Sequence, residues 1–272
     1  MFDYEQSIWG RGEASKRWSD PTSFRLRQAL AALRRLPAGS LVLEVGCGAG
    51  QFIRAIKQAR PELNCHGSDI SQAAITRAQE QRDGASYAVS APYQLPHPSA
   101  TFDAIVFFDV LEHVDNPARL LQEIRRVLKP SGLLYGFVPC EGDWTSLWYW
   151  LDKFQLKKDL TKKYAGHLQY FSRAALRQLL ADNGWRIIRR RYSEHLVGQL
   201  AGVITFFLMN RLAKQQGLAQ LNNEQFFAPV GSGSAFSRFK RLANVIIFCE
   251  SSLLRFLPSP NVHLAAVKQK SA

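Results

Sequence analysis

Leu41-Val42-Leu43-Glu44-Val45-Gly46-Cys47-Gly48-Ala49-Gly50 is the stretch on which the fold turns. An apolar, β-branched run carrying one acid breaks into three glycines at alternate positions. Behind it, Gln51-Phe52-Ile53-Arg54-Ala55-Ile56-Lys57 reads as a helix. Strand, tight glycine turn and helix form the opening of a doubly wound nucleotide-binding fold. The glycines let the chain turn sharply and let a ligand lie against bare backbone. The helix that follows offers unpaired N–H groups and a positive dipole end.

The turn departs from the dinucleotide fingerprint G-x-G-x-x-G. Counted from Gly46, the third glycine falls at position 51, which is Gln51. Glu44 stands two residues before the first glycine. A carboxylate there suits a cationic ligand better than a pyrophosphate. S-adenosylmethionine (SAM) carries a sulfonium and an ammonium and no phosphate. A second acid, Asp69, ends the next expected strand (64–69), 19 residues beyond Gly50. An acid so placed can accept both hydroxyls of an adenosine ribose. The alternative is a cap for the helix expected over 71–82, a job for which Ser71 competes; spacing and strand end favour the ribose role.

The remaining elements fall into place around this pair. Phe24, Leu26, Leu30, Leu33 and Leu36 give 22–36 a helical apolar face, stopped by Pro37 and Gly39. A short third strand is expected at 86–89, then a proline-rich loop, 90–98. Phe102-Asp103-Ala104-Ile105-Val106-Phe107-Phe108 is nearly all apolar, as a strand buried on both faces should be. Asn116-Pro117 opens a helix to about Lys129, and a fifth strand is expected at 133–138. Ser172 caps a further helix that ends at Asn183-Gly184, before a sixth strand at 185–192.

Residues 38–140 resemble a class I SAM-dependent methyltransferase of the group that includes the ubiquinone/menaquinone-biosynthesis enzymes, methyltransferase type 11. The matching motifs are Glu44-Val45-Gly46-Cys47-Gly48-Ala49-Gly50, Asp69, Leu95-Pro96, Phe102-Asp103, Leu111-Glu112-His113-Val114 and Leu128-Lys129-Pro130-Ser131-Gly132. The resemblance continues through the helix and strand that end at 192. It implies a doubly wound, seven-stranded, mostly parallel sheet of the Rossmann-like methyltransferase kind, with SAM as cofactor. The cofactor-binding set expected on it is Glu44, Gly46, Cys47, Gly48, Gly50, Asp69, Ile70, Ser90, Ala91, Phe108 and Asp109. One position departs from the family. Where an acid usually holds the adenine amino group, this chain has Ser90-Ala91-Pro92, so packing is expected to hold the adenine end.

Methyl transfer from a sulfonium is an in-line displacement in which positioning does much of the work. An oxygen or nitrogen acceptor can also require a base. His113 and His167, both in loops near the strand ends, are the candidates. No metal site is expected, since Asp109, Glu112 and His113 are near neighbours on one loop and rarely point together.

Composition adds a statement about partners. Residues 1–150 balance 16 Lys and Arg against 16 Asp and Glu, whereas 151–272 carry 19 against 6. The whole net charge of +13 therefore sits in the second half. The last strand is expected only at 262–268, which makes 193–260 a basic, apolar helical insertion between strands six and seven. Residues 196–210 carry no charge, yet at 15 residues fall short of the ~20 a spanning helix needs. Apolar helices edged with basic residues suit an anionic bilayer surface; a lid packed on the domain is the alternative. An aromatic-rich stretch, 139–165, lies where substrate enters such a sheet, or else packs as a helix.

The organisation expected is an arm and helix at 1–37, a SAM-binding core at 38–192, the insertion at 193–260, and a last strand and tail at 261–272. The acceptor expected is a small apolar or membrane-associated molecule, of quinone- or lipid-precursor type. An RNA methyltransferase using the basic half, and a non-catalytic SAM-binding membrane adaptor, remain alternatives. No RNA-binding module is visible, which makes nucleic acid a weaker expectation. Four cysteines without metal spacing and a polar, acidic N-terminus predict reduced thiols and a cytoplasmic chain, peripheral at the inner face of the membrane if the insertion engages it.

Overall fold

The computed structural model describes residues 23–156, 160–215 and 235–269, apart from the side chains of 163–164 and 235–240. The expected N-terminal arm lies outside the described residues, as do 216–234 of the expected insertion.

In chain order the elements are α1 (Phe24–Leu33), β1 (Leu41–Val45), α2 (Gln51–Ala59), β2 (Asn64–Asp69), α3 (Gln72–Glu80), β3 (Ser86–Val89), β4 (Phe102–Phe108), a 3-10 turn (Leu111–His113), α4 (Pro117–Val127), β5 (Leu128–Pro139), α5 (Leu147–Lys153), α6 (Leu160–Ala165), α7 (Arg173–Asp182), β6 (Trp185–Ser193), α8 (Val197–Gln215), α9 (Ala235–Leu254) and β7 (Asn261–Lys268). One sheet takes all seven strands in the order β3-β2-β1-β4-β5-β7-β6. The strand pairs β1–β2, β1–β4, β2–β3 and β4–β5 are parallel; β7 runs antiparallel to both β5 and β6. β6 therefore points the same way as β1, and the chain leaves it on the carboxyl side of the sheet. That is the side on which such sheets bind ligands.

The central strands are apolar because helices cover both faces. Along β4 only Asp103 is not buried. One layer sets Leu26, Ala29 and Leu33 of α1 and Ile53 and Ile56 of α2 on Val42, Ala104 and Val106. The other sets Leu120, Leu121, Ile124 and Val127 of α4 and Leu176 and Leu180 of α7 on Leu43, Ile105 and Phe107. Alternation along each strand sends successive residues into opposite layers.

Several boundaries differ from the sequence reading. α1 is shorter than 22–36, and α3 starts at Gln72 because Ser71 caps it, accepting the Ala74 N–H at 3.1 Å. α4 stops at Val127 and β5 begins at Leu128, which pairs with Phe102. The register then shifts, so that Ala104 pairs with Leu133 and residues 129–132 form a bulge in β5. Pro130 favours extended backbone at Lys129, which explains why the strand starts early.

Between β6 and β7 lie α8 and α9. Glu250 of α9 accepts the N–H groups of Leu196 and Val197 at 2.9 and 2.8 Å and so satisfies the open start of α8. No described helix is long and apolar enough to cross a membrane.

Candidate active site

The glycine turn is held from three sides. Gly46 and Cys47 donate their N–H groups to Ser68 O, at 2.8 and 3.1 Å. Asp69 Oδ2 accepts the Gly48 N–H at 2.7 Å, and Oδ1 accepts the Ser71 N–H at 3.0 Å. The tip of β2 is thereby tied to the turn after β1. Glu44, 2% exposed, aims its carboxylate at the start of α2 and accepts the Ile53 N–H at 2.7 Å. A negative charge beneath a helix N-terminus is favourable, because the unpaired N–H groups there carry partial positive charge.

Two of the glycines are required by space as well as by conformation. Gly46 has φ +70°, and a Cβ on it would stand 2.6 Å from Cγ2 of Val110. Gly50 has φ +79°, and its Cβ would stand 2.6 Å from the Tyr87 hydroxyl. The first contact brings the loop after β4 against the glycine turn. The second belongs to a support that periodicity did not reveal. Tyr87 donates to Asp83 at 2.6 Å, Asp83 pairs with Arg54 at 2.9 Å, and Arg54 donates to Ala49 O at 2.7 Å.

The other expected cofactor residues fall around this turn and the neighbouring strand ends. Ile70 is 44% exposed just beyond Asp69. Ser90 donates its N–H to Asp69 O at 2.9 Å, and Ala91 bridges to Gln94. Cys47 is buried, and burial with Glu44 and Asp69 nearby pushes its thiol well above the ordinary range. Phe108 stacks on Phe52 at 3.9 Å, ten degrees from parallel. Asp109 has φ +52° and pairs with Arg25 of α1. Arg25 also lies 3.6 Å from Glu194, just after β6, and 3.9 Å over the Phe137 ring. Neither Arg25 nor Glu194 carried a sequence signal, since only the crossing of α1 over the strand ends brings them in.

The two histidines come together. Their rings are 5.0 Å apart, edge to face. His113 Nδ1 lies 3.2 Å from Gly166 O, and His167 Nδ1 lies 3.1 Å from Glu141 Oε2. Burial opposes charge on His167, but Glu141, with Glu112 and Asp109 beyond it, raises it to about 9. Burial and the facing His167 lower His113 to about 4. Glu112 is fully buried, which raises its carboxyl well above the usual range. The aromatic stretch divides. Trp148 packs edge-on against Phe206 of α8 at 5.4 Å, while Trp144 and Phe154 are exposed.

The sheet runs in the order 3-2-1-4-5-7-6 and carries a glycine turn braced by two carboxylates. The profile of the methyltransferase-domain family covers residues 15–190.

The chain belongs to the SAM-dependent methyltransferase family.

Among its relatives, the ubiquinone biosynthesis O-methyltransferase of Thiobacillus denitrificans is 35% identical over 137 residues, 45% of this chain and 58% of that one. The 27-O-demethylrifamycin SV methyltransferase of Amycolatopsis mediterranei is 28% identical over 145 residues, 48% and 53% of the two chains. The aligned region thus spans about half the length of the curated relatives it matches. Among solved structures, geranyl diphosphate methyltransferase with bound SAM superposes with a TM-score of 0.57 at 14% identity, covering 90% of this chain and 85% of that one. The 4+2 cyclase SpnF superposes with a TM-score of 0.58 at 18% identity, covering 90% and 81%. At such identities the methyltransferase and the cyclase show a shared fold and nothing about substrate.

Proposed function

We propose that this methyltransferase transfers the SAM methyl group to a small apolar acceptor drawn from an anionic membrane surface. The observation that carries the reading is the glycine turn with Asp69 and Glu44 locked to it. In this reading Asp69, at the end of β2, accepts the ribose hydroxyls, as an acid at that strand end can. Backbone of 46–50 faces the amino-acid end, and buried Glu44 lends negative charge behind it. In this reading Ile70, Ser90 and Ala91, at the ends of β2 and β3, would flank the adenine, and Phe108 and Asp109, at the end of β4, would also line the cofactor. SAM held there would supply an activated methyl for in-line displacement by an electron pair of the acceptor atom, with S-adenosylhomocysteine as the leaving group and the acceptor's proton, where it has one, passing to a base or to solvent. In this reading His113 and His167, whose rings lie 5.0 Å apart, are the candidate bases for the acceptor.

The membrane element of the reading rests on α8 and α9. Leu196, Leu200, Ile204 and Leu208 recur every fourth residue, and each is at least 44% exposed. Leu242, Val245, Ile246 and Leu253 are exposed on α9, and Phe256 and Leu257 follow. Arg211, Lys214, Arg241 and Arg255 are exposed beside them. Apolar rows bordered by cations match the interface of an anionic bilayer. The test is incubation with methyl-labelled SAM and either a bacterial lipid extract or total RNA. Label in the lipid fraction is expected. Tight SAM binding with label only in RNA overturns the acceptor class, and absence of SAM binding overturns the whole reading.

A further inference from the structure

At the carboxyl ends of β4 and β5, Glu112 and His113 of the 3-10 turn meet His167 from the loop after α6. One ligand atom from each lies within 4.8 Å of the other two. The sequence reading weighed Asp109, Glu112 and His113 and expected no metal there; here the third member is His167, from a different loop 54 residues beyond His113. Glu112 is completely buried, and among the described residues neither of its oxygens has a hydrogen-bond partner. A carboxylate so placed requires a cation or a proton beside it.

Both imidazoles are oriented from behind. Gly166 O lies 3.2 Å from His113 Nδ1, and Glu141 Oε2 lies 3.1 Å from His167 Nδ1. His113 turns Nε2 toward Glu112 Oε1, 3.9 Å away. Metal-binding histidines are held in this way, the outer nitrogen donating to a carbonyl or carboxylate that sets tautomer and ring angle.

We propose that Glu112, His113 and His167 bind a divalent first-row transition ion, of the zinc class. Two imidazoles and one carboxylate suit such an ion better than magnesium or calcium, which prefer all-oxygen sets. Three protein ligands leave a coordination position open. An ion held there would be able to take an oxygen of the acceptor and ease loss of its proton. That role rests on the methyl-transfer reading; binding of the ion does not.

The test uses the chelator-stripped full chain, titrated with Zn2+ by calorimetry and with Co2+ by visible absorption. One ion per chain is expected, with Co2+ d–d bands of a nitrogen-containing site. Glu112→Gln and His167→Ala are each expected to weaken the ion by at least about tenfold, with SAM affinity unchanged. The Co2+ spectrum of the unaltered chain keeps the test valid if a variant misfolds. Absence of a stoichiometric ion in the unaltered chain, or variants that bind as it does, overturns the proposal. Ion binding without SAM binding overturns the methyl-transfer reading and leaves the metal site standing.

Discussion

Asp69 Oδ2 accepts the backbone N–H of Gly48 at 2.7 Å, so the acid proposed for the ribose also shapes the glycine turn. The proposal therefore couples ligand binding and loop geometry through one side chain. Asp69→Ala should lower SAM affinity by more than about tenfold and cost about 1–3 kcal/mol of stability by leaving the Gly48 N–H unpaired. Calorimetry with SAM and urea unfolding check the two effects. A variant that loses affinity at unchanged stability would show that the Gly48 bond is dispensable.

Glu44 serves α2 as a carboxylate beneath its first turn, bonded to Ile53 N–H. Glu44→Gln keeps an acceptor for Ile53 but removes the charge, whereas Glu44→Ala removes both. We expect Glu44→Gln to weaken SAM mainly, and Glu44→Ala to lose a further ~1 kcal/mol or more of stability. Equal unfolding midpoints for the two variants would contradict the capping role.

Gly50 and Gly84 share nearly the same backbone, φ +79° and +78°, but not the same surroundings. An Ala Cβ at 84 would meet nothing nearer than Lys57 Cε at 3.7 Å, whereas at 50 it would press on Tyr87 at 2.6 Å. Gly84→Ala should cost about 1–2 kcal/mol from conformation alone. Gly50→Ala should cost more, and Tyr87→Phe should relieve part of the excess. Thermal melts of the three proteins decide it, and equal losses at 50 and 84 would remove Tyr87 from the explanation.

Asp143 supplies a pH dependence. Burial raises its carboxyl, but the Arg173 side chain and the N–H groups of Arg173 and Thr145 outweigh burial and hold it below the ordinary 3.8. Because the folded value is depressed, the stabilisation is present above about pH 4 and disappears as pH falls through the folded value. Asp143→Asn should be less stable than the natural chain by about 1–3 kcal/mol at pH 7. The difference should shrink on acidification. Urea midpoints over that range check it, and a difference that is constant with pH would exclude the ion pair as its source.

The exposed row on α8 predicts a specific loss. Leu200→Glu with Ile204→Glu should reduce partitioning onto anionic vesicles by more than about tenfold, since each inserted side chain contributes about 1.5–3 kcal/mol. Added salt should weaken the natural chain on the same vesicles, and SAM affinity should be unaltered. Failure of the natural chain to sediment with anionic vesicles would end the membrane reading.

The strand–turn–helix at 41–57, the Asp69 strand end and the buried run of β4 were legible in the sequence because each follows from local rules: turn glycines, strand ends and period. Chain order alone placed α8 and α9 between β6 and β7. Helix and strand ends were less legible. Leu128 looks helical by pattern and is extended because it pairs with Phe102.

What only the tertiary structure decided is which distant side chains meet. Arg25 reaches Asp109 and Glu194 across the strand ends. Tyr87, Asp83 and Arg54 brace the glycine turn from outside it. Glu141 and His167 converge on Glu112 and His113. Periodicity records which face of an element is buried, because burial repeats with the backbone. It carries no record of pairings between elements, which depend on how strands order and helices cross once the sheet has formed.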